Sequence, residues 1–338
     1  MAQQKGTRKK KASGVKIALA VFAALIAALL SAYAVMMYLI PALETVDERR
    51  VEGSENWMAR LDGDKSISEV ILPGTHDAGT SDAGMAFFSR CQALTVKEQL
   101  EAGFRYLDIR AAEDGEGLKL MHGFVNCTEN AFPWSKPLSM ESVLDDCYSF
   151  LRAHTSEFIV FAVKQERNSD DTANIEAKLN ALIKKNEDLW LLTDRLPTVR
   201  EARGKLVLLR RYGDAAALGA RSGIGLSWLD QSDRNDTAQH TVNHLCGGVS
   251  LWVQDRYKYT TEEKWAAFTE GLKTAKTGRD EAAIHFLSTN GKVLFGHPYA
   301  HAKALNARLL EERPALNGWV VVDFGTPSVA ESIYSANF

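Results

Sequence analysis

The chain has 338 residues, 46% hydrophobic and 25% charged, with a formal net charge of −3. This is ordinary globular composition for one large domain or two smaller ones, with an addition at the N-terminus. Residues 1–16 hold six basic and no acidic side chains, which leaves the remainder at −9; a mildly acidic body argues against a nucleic-acid partner and makes any attraction to anionic lipid local.

Residues Ile17 to Ile40 run for 24 positions without a charged side chain, long enough to cross a bilayer as a helix. Lys5, Arg8, Lys9, Lys10, Lys11 and Lys16 precede them, so the positive-inside bias puts residues 1–16 in the cytoplasm and the bulk of the chain outside. The chain then sits in the cell membrane as a single-pass protein. The competing reading is a cleaved signal peptide and a secreted product, since Ala32-Tyr33-Ala34 resembles a cleavage site; the apolar run continuing to Ile40 favours the anchor. Residues 41–56 are polar and charged, with Pro, Gly and Ser, and read as a linker before a folded region at 57–338.

From Trp57 onward apolar runs alternate with helical patterns, the signal for a parallel sheet with crossover helices. The predicted strands are Val70–Leu72, Tyr106–Arg110, Leu118–Met121, Phe158–Lys164, Leu206–Arg210, Leu251–Gln254, His285–Leu287 and Trp319–Val322. Pro73 and Gly74 are expected to break the first. Predicted helices cover Ser139–His154, Asp171–Lys185, Thr261–Ala275 and Ala300–Glu311, with a closing turn at Ser328–Tyr334. Repeated strand–helix units imply an α/β fold, a (β/α) barrel of the triosephosphate isomerase type with its site at the strands' carboxyl ends. Irregular spacing implies a distorted barrel.

Chemistry-bearing residues collect just past those strand ends. His76 and Asp77 follow the first strand, and His122 follows the third. Paired imidazoles suit in-line displacement at a phosphodiester, one taking a proton while the other gives one. Strand alternation places Asp108 and Arg110 on one face, where a guanidinium fork fits a phosphate; an internal ion pair is the alternative. Asp323 ends the last strand, and barrel closure makes first and last strands neighbours, which brings it beside His76. Lys164, Arg211, Asp255 and Tyr257 each follow a strand and suit a polyhydroxylated head group.

The four cysteines, Cys91, Cys127, Cys147 and Cys246, permit two disulfides in an exported domain or remain buried thiols. Cys91 and Cys127 both follow the loops of interest and are the favoured pair. Met85, Phe87, Phe88, Phe132 and Trp134 lie in those loops, either facing lipid or folded back on the barrel.

The stretches Leu72-Pro73-Gly74-Thr75-His76-Asp77-Ala78-Gly79-Thr80, Tyr106-Leu107-Asp108-Ile109-Arg110 and Met121-His122-Gly123 resemble the X domain of bacterial phosphatidylinositol-specific phospholipase C. Val163-Lys164, residues 204–212, Val253–Tyr257 and Val322-Asp323 extend the likeness from about Trp57 to the C-terminus. The resemblance implies a distorted, incompletely closed barrel and cleavage of phosphatidylinositol to diacylglycerol and inositol 1,2-cyclic phosphate. It implies His76 as general base with Asp323 as partner, and His122 as general acid with Asp77. Arg110 then stabilises charge on the phosphate, Asp108 orients its neighbours, and Lys164, Arg211, Asp255 and Tyr257 hold the inositol ring. Calcium-binding members carry Asn after the first His and acidic residues on the second strand; Asp77 and Arg110 stand there instead, which implies no metal and no other cofactor. The expected partner is a membrane surface containing phosphatidylinositol, with no obligate protein partner. The alternatives are a related barrel phosphodiesterase acting on another phospholipid, which would need a metal held by carboxylates, or a membrane-tethered inositol-lipid binding module that no longer catalyses.

Overall fold

The computed structural model describes residues 2–47, 49–132, 134–212, 223–228, 230–231, 242–246, 248–293 and 296–338, with residues 2–13 and 242–246 described by their backbone. It divides into two units, Met1–Glu44 and Thr45–Phe338. In the first, α1 (Ala2–Ala34) runs through a π-helical stretch, Val35–Leu39, into α2 (Ile40–Leu43). Ala and Leu, both strong helix formers, dominate it. Gly14–Leu43 is long and apolar enough to cross a membrane, with a mean hydropathy of 2.4. The helix begins well before Ile17, so residues 2–16 are helical backbone and not an irregular tail. The basic side chains at 5–11 lie outside the described residues.

The second unit opens with two 3-10 turns, Ser54–Arg60 and Ile67–Glu69. Then follow β1 (Leu72–Thr75), α3 (Ala86–Ser89), α4 (Val96–Glu101), β2 (Tyr106–Asp114), β3 (Gly117–His122) and β4 (Val125–Asn126). α5 (Met140–Ala153), β5 (Ile159–Gln165), α6 (Thr172–Lys184), β6 (Trp190–Leu191), α7 (Val199–Ala202), β7 (Leu206–Arg211) and β8 (Ile224–Gly225) come next. β9 (Val242–Cys246), β10 (Val249–Gln254), α8 (Thr261–Thr274), β11 (Glu281–Leu287), α9 (Pro298–Glu312), β12 (Trp319–Val322) and α10 (Pro327–Tyr334) complete it. Ser139, Asp171, Thr260 and Thr326 cap their helices through side-chain oxygens that accept a backbone N–H in the first turn.

The strands form one sheet in the order β6-β7-β5-β2-β1-β12-β11-β10-β9. β7, β5, β2, β1, β12, β11 and β10 run parallel, and β9 joins β10 antiparallel. First and last long strands are neighbours, as in a barrel, but among the described residues no pairing joins β9 to β6 or β7, so the curled sheet stays open there. Alternate strand residues feed two apolar clusters: Tyr106, Val160, Val207, Phe286 and Trp319 in one, Leu107, Ile109, Phe161 and Leu208 in the other.

Register levels the carboxyl ends. Thr75 pairs with Val322, Val322 with Leu287, Arg110 with Lys164, and Lys164 with Arg211. The ends of β1, β12, β11 and β7 therefore lie level with Arg110 within β2 and Lys164 near the end of β5, and these positions form one rim.

Two expectations are corrected. β1 begins at Leu72 and runs through Pro73 and Gly74, which were expected to end it. Parallel pairing to β12 and β2 overrides the local breakers, and the Pro73 carbonyl still accepts from Arg105 N. Gly74 is there for clearance: a Cβ would meet Tyr106 Cβ at 2.9 Å and Val321 Cγ2 at 3.1 Å. The segment read as Leu118–Met121 is not a parallel barrel strand. It is β3, folded back antiparallel on β2 through a turn whose Gly115 has φ +56.

Candidate active site

β1 delivers His76 and Asp77 into a tight turn. His76 N donates to Val322 O and Ala78 N to Asp108 O, so the turn is pinned to both neighbouring strands. Asp77 adopts φ 48, a left-handed conformation that Asp tolerates better than most residues. Gln92, fully buried, holds the same junction: its Nε2 donates to His76 O at 2.7 Å and Val322 O at 2.9 Å.

The side chains form a continuous network. His76 Nδ1 lies 2.7 Å from Asp323 Oδ1, and its Nε2 lies 2.6 Å from Arg110 Nη2. Guanidinium only donates, so Nε2 accepts and the ring proton sits on Nδ1, donated to Asp323. Arg110 Nε is also 3.3 Å from Asp77 Oδ2 and 3.3 Å from Asp108 Oδ2. His122 Nδ1 comes within 2.6 Å of Asp77 Oδ2. The approach is close but poorly directed, because that buried oxygen accepts no hydrogen bond of good geometry. Arg110 thus stands between two His–Asp pairs.

The remaining predicted residues join outward. Arg211 Nη1 reaches Asp108 Oδ1 at 3.0 Å, and its guanidinium lies 3.6 Å over the Trp228 ring. Trp228 Nε1 donates to Asp255 Oδ2 at 2.9 Å. Lys164 Nζ donates to Glu166 Oε2 at 2.8 Å. Glu166 Oε1 accepts from Gly123 N at 2.7 Å and faces Arg110 Nη1 at 3.4 Å, which ties the His122 turn to Arg110. Tyr257 donates its hydroxyl to Asp230 Oδ1 at 2.7 Å. Sequence reading assigned no role to Gln92, Glu166 or Trp228. Glu166 follows a strand end as Lys164 does and was open to the same argument; Gln92 and Trp228 come from segments without a period.

Mutual charge sets the protonation states. At His76 burial works against the imidazolium and Arg110 opposes it too, but Asp323 prevails and the pKa stands above its ordinary value. At Asp108 burial pushes the carboxyl up, but Arg110 and Arg211 hold it well below the usual range. At Glu166 burial also pushes up, and Arg110 and Lys164 bring the value down to about 2. For Arg110 burial disfavours the charge, while Asp77, Asp108 and Glu166 hold it well into the protonated state.

The expected Cys91–Cys127 bridge is not formed; Cys91, Cys127 and Cys147 are buried free thiols. Cys127 packs into the second apolar cluster, whereas the Cys91 sulfur turns to His122 Nδ1 at 3.7 Å. The Cys246 side chain lies outside the described residues. The loop aromatics divide. Phe87 folds back and stacks on His297 at 4.1 Å, with Phe88 edge-on to it. Trp134 is 81% and Phe132 63% exposed, stacked on each other at 5.8 Å, and Phe124 beside His122 is also exposed.

Residues 77–212 match the family model of the phosphatidylinositol-specific phospholipase C X domain. A 1-phosphatidylinositol phosphodiesterase of Staphylococcus aureus strain Newman is 29% identical over 290 residues, spanning 80% of this chain and 88% of that protein. A solved mutant of the Staphylococcus aureus phosphatidylinositol-specific phospholipase C superposes with a TM-score of 0.71 at 25% identity, covering 85% of this chain and 99% of that one. The Listeria monocytogenes phosphatidylinositol-specific phospholipase C shares the fold at a TM-score of 0.60 and 21% identity, over 84% and 99% of the two chains. Strand-end residues, fold and sequence agree: residues 77–212 match the phosphatidylinositol-specific phospholipase C X domain, and the chain is similar in sequence and fold to bacterial phosphatidylinositol-specific phospholipases C.

Proposed function

We propose that this chain is a phospholipase C that cleaves phosphatidylinositol to diacylglycerol and inositol 1,2-cyclic phosphate, without a catalytic metal. The observation that carries the reading is one guanidinium, Arg110, set between the His76–Asp323 and His122–Asp77 pairs. His76 Nε2 takes the proton of the inositol 2-hydroxyl, and that oxygen attacks phosphorus. The bond to the glycerol oxygen breaks, and His122 protonates it. Nucleophile and phosphate share one head group, which gives attack an entropic advantage. Asp323 stabilises the imidazolium that forms on His76. Asp77 serves His122 in the same way, and Asp108 orients Arg110 and Arg211.

In the resting site Arg110 occupies His76 Nε2. A bound phosphate draws the guanidinium to itself, which frees the base as it neutralises the charge of the transition state. Lys164, Arg211, Asp255 and Tyr257 form the head-group wall. Among the described residues, each group of three donor atoms close enough to share an ion includes the Cys91 sulfur. A sulfur donor is foreign to calcium, which takes oxygen ligands.

The substrate lies in a membrane, and Phe124, Phe132 and Trp134 are the exposed aromatic side chains nearest in sequence to His122. The apolar N-terminal helix fits a membrane anchor or a signal segment. We read it as an anchor, with residues 1–16 in the cytoplasm, 17–40 in the bilayer, 41–56 as linker and 57–338 as the external catalytic barrel. Phosphorus NMR of the products from phosphatidylinositol vesicles tests the reaction: a cyclic phosphodiester signal that persists under chelation is expected. A product made only with added divalent metal, or no turnover, overturns it.

A further inference from the structure

Cys91 takes no part in the reaction above, yet its sulfur lies at the floor of the site. Two sets of potential ligand atoms share it, His76 with Asp323 and Asp77 with His122, each set within 4.8 Å of itself. The two sets share that sulfur and differ in what an ion would have to displace. Both ring nitrogens of His76 are already engaged, Nδ1 by Asp323 and Nε2 by Arg110, and an ion there must break into that pairing. The other set has less to lose. Asp77, 2% exposed, aims a carboxylate oxygen into the site that accepts no well-directed hydrogen bond.

The distances fit a tetrahedral ion. Bonds of roughly 2.3 Å to sulfur and 2.0 Å to nitrogen place those atoms about 3.6 Å apart across zinc. Cys91 Sγ and His122 Nδ1 are 3.7 Å apart. The 2.6 Å between His122 Nδ1 and Asp77 Oδ2 must open by less than ~1 Å to reach the corresponding nitrogen–oxygen span. His122 can supply that movement, since its side chain is 25% exposed. Thiolate and carboxylate together balance a divalent charge, and the neighbouring Arg110 guanidinium disfavours any excess.

We propose that Asp77, Cys91 and His122 form a binding site for a thiophilic divalent cation, Zn2+ or Cd2+, whose occupation silences the site by capturing the His122 imidazole. The inhibition rests on the function proposed above; the binding does not. The thiol loses its proton as the metal–sulfur bond forms. Burial and the Asp323 and Asp77 carboxylates push the Cys91 pKa up, so metal competes with a firmly held proton. The ion here is an inhibitor and takes no step in catalysis.

The test is a Cd2+ titration of the detergent-solubilised full chain, followed by the ultraviolet sulfur-to-cadmium charge-transfer band. The band saturates at one equivalent in the wild type and in Cys127→Ser, Cys147→Ser and Cys246→Ser, and is absent in Cys91→Ser. His122→Ala, which keeps every thiol, binds Cd2+ at least about tenfold more weakly. It decides the matter should Cys91→Ser fail to fold. In parallel, stoichiometric Zn2+ suppresses phosphatidylinositol cleavage by the wild type, EDTA restores it, and Cys91→Ser keeps cleaving in Zn2+. A band that persists in Cys91→Ser, unchanged affinity in His122→Ala, or equal Zn2+ inhibition of Cys91→Ser overturns the site. A wild type that shows the band but no cleavage leaves the site standing and refutes the proposed function.

Discussion

Strands β2 and β5 carry ionic clusters at both ends, and the two clusters differ in completeness. At the amino end Arg105 and Glu157, both fully buried, pair at 2.8 Å. Arg105 also donates to the carbonyls of Leu100, Phe104, Ser54 and Glu55, while Glu157 accepts from Met58 N and Ser156 Oγ. Every bond there is spent within the protein. Toward the carboxyl end Asp108, Arg110, Lys164 and Glu166 are paired as well, but Thr75 Oγ1, Tyr106 OH, Asp77 Oδ2 and Ser288 Oγ are buried without hydrogen-bond partners among the described residues. Charge at a strand end does not by itself mark a site; unspent bonding capacity beside an accessible imidazole does.

The contrast is sharpest under substitution. His76→Ala and His122→Ala should each lower kcat by about 10²–10⁴-fold in a protein that still folds. Vesicle assays with melting curves check this, and wild-type-like turnover removes the acid–base assignment. Arg105→Met or Glu157→Gln should do the reverse. Each strands a buried partner and costs on the order of 3–5 kcal/mol of stability, with turnover per folded molecule retained. Urea denaturation reads the loss, and lost turnover in a folded variant would erase the distinction between the two ends.

Smaller effects follow from pH. A base with a raised pKa works only when deprotonated, so kcat/KM should fall with decreasing pH from a point above the ordinary imidazole value. Asp323→Asn removes the strongest influence that opposes burial and Arg110, and the acid limb should move to lower pH. The same pair adds stability fully present below the unfolded imidazole pKa and lost as pH rises through the folded one. The smallest effect belongs to the rim: Trp134→Ala with Phe132→Ala should weaken binding to phosphatidylinositol vesicles several-fold and leave cleavage of a soluble inositol phosphodiester unchanged.

Much of this was legible in the chain. Trp319–Val322 was read with its observed bounds because an apolar run lies between a turn glycine and a carboxylate. The cap at Ser139, and Thr260 or Thr261 at the next long helix but one, announced their helices, and Thr260 is the cap observed. The short helix Val96–Glu101 was overlooked although Thr95 and Glu98 form a capping box that sequence displays. β1 was misplaced because Pro and Gly speak locally and strand pairing does not. At the rim, residues that close strands were readable from periodicity. Gln92, Trp228 and the turned sulfur of Cys91 arrive on irregular backbone, where only three-dimensional proximity gives them meaning.

The clearance at Gly74 reaches further than its own strand. A methyl group there must wedge β1 away from Tyr106 on one side or Val321 on the other. Two positions on, His76 depends on both flanks, on Arg110 from β2 and on Asp323 just past β12. Overpacking strain of ~1–3 kcal/mol leaves most domains folded, whereas reacting groups tolerate displacements of only about 0.5 Å. Gly74→Ala is therefore expected to keep the barrel folded and to lose turnover.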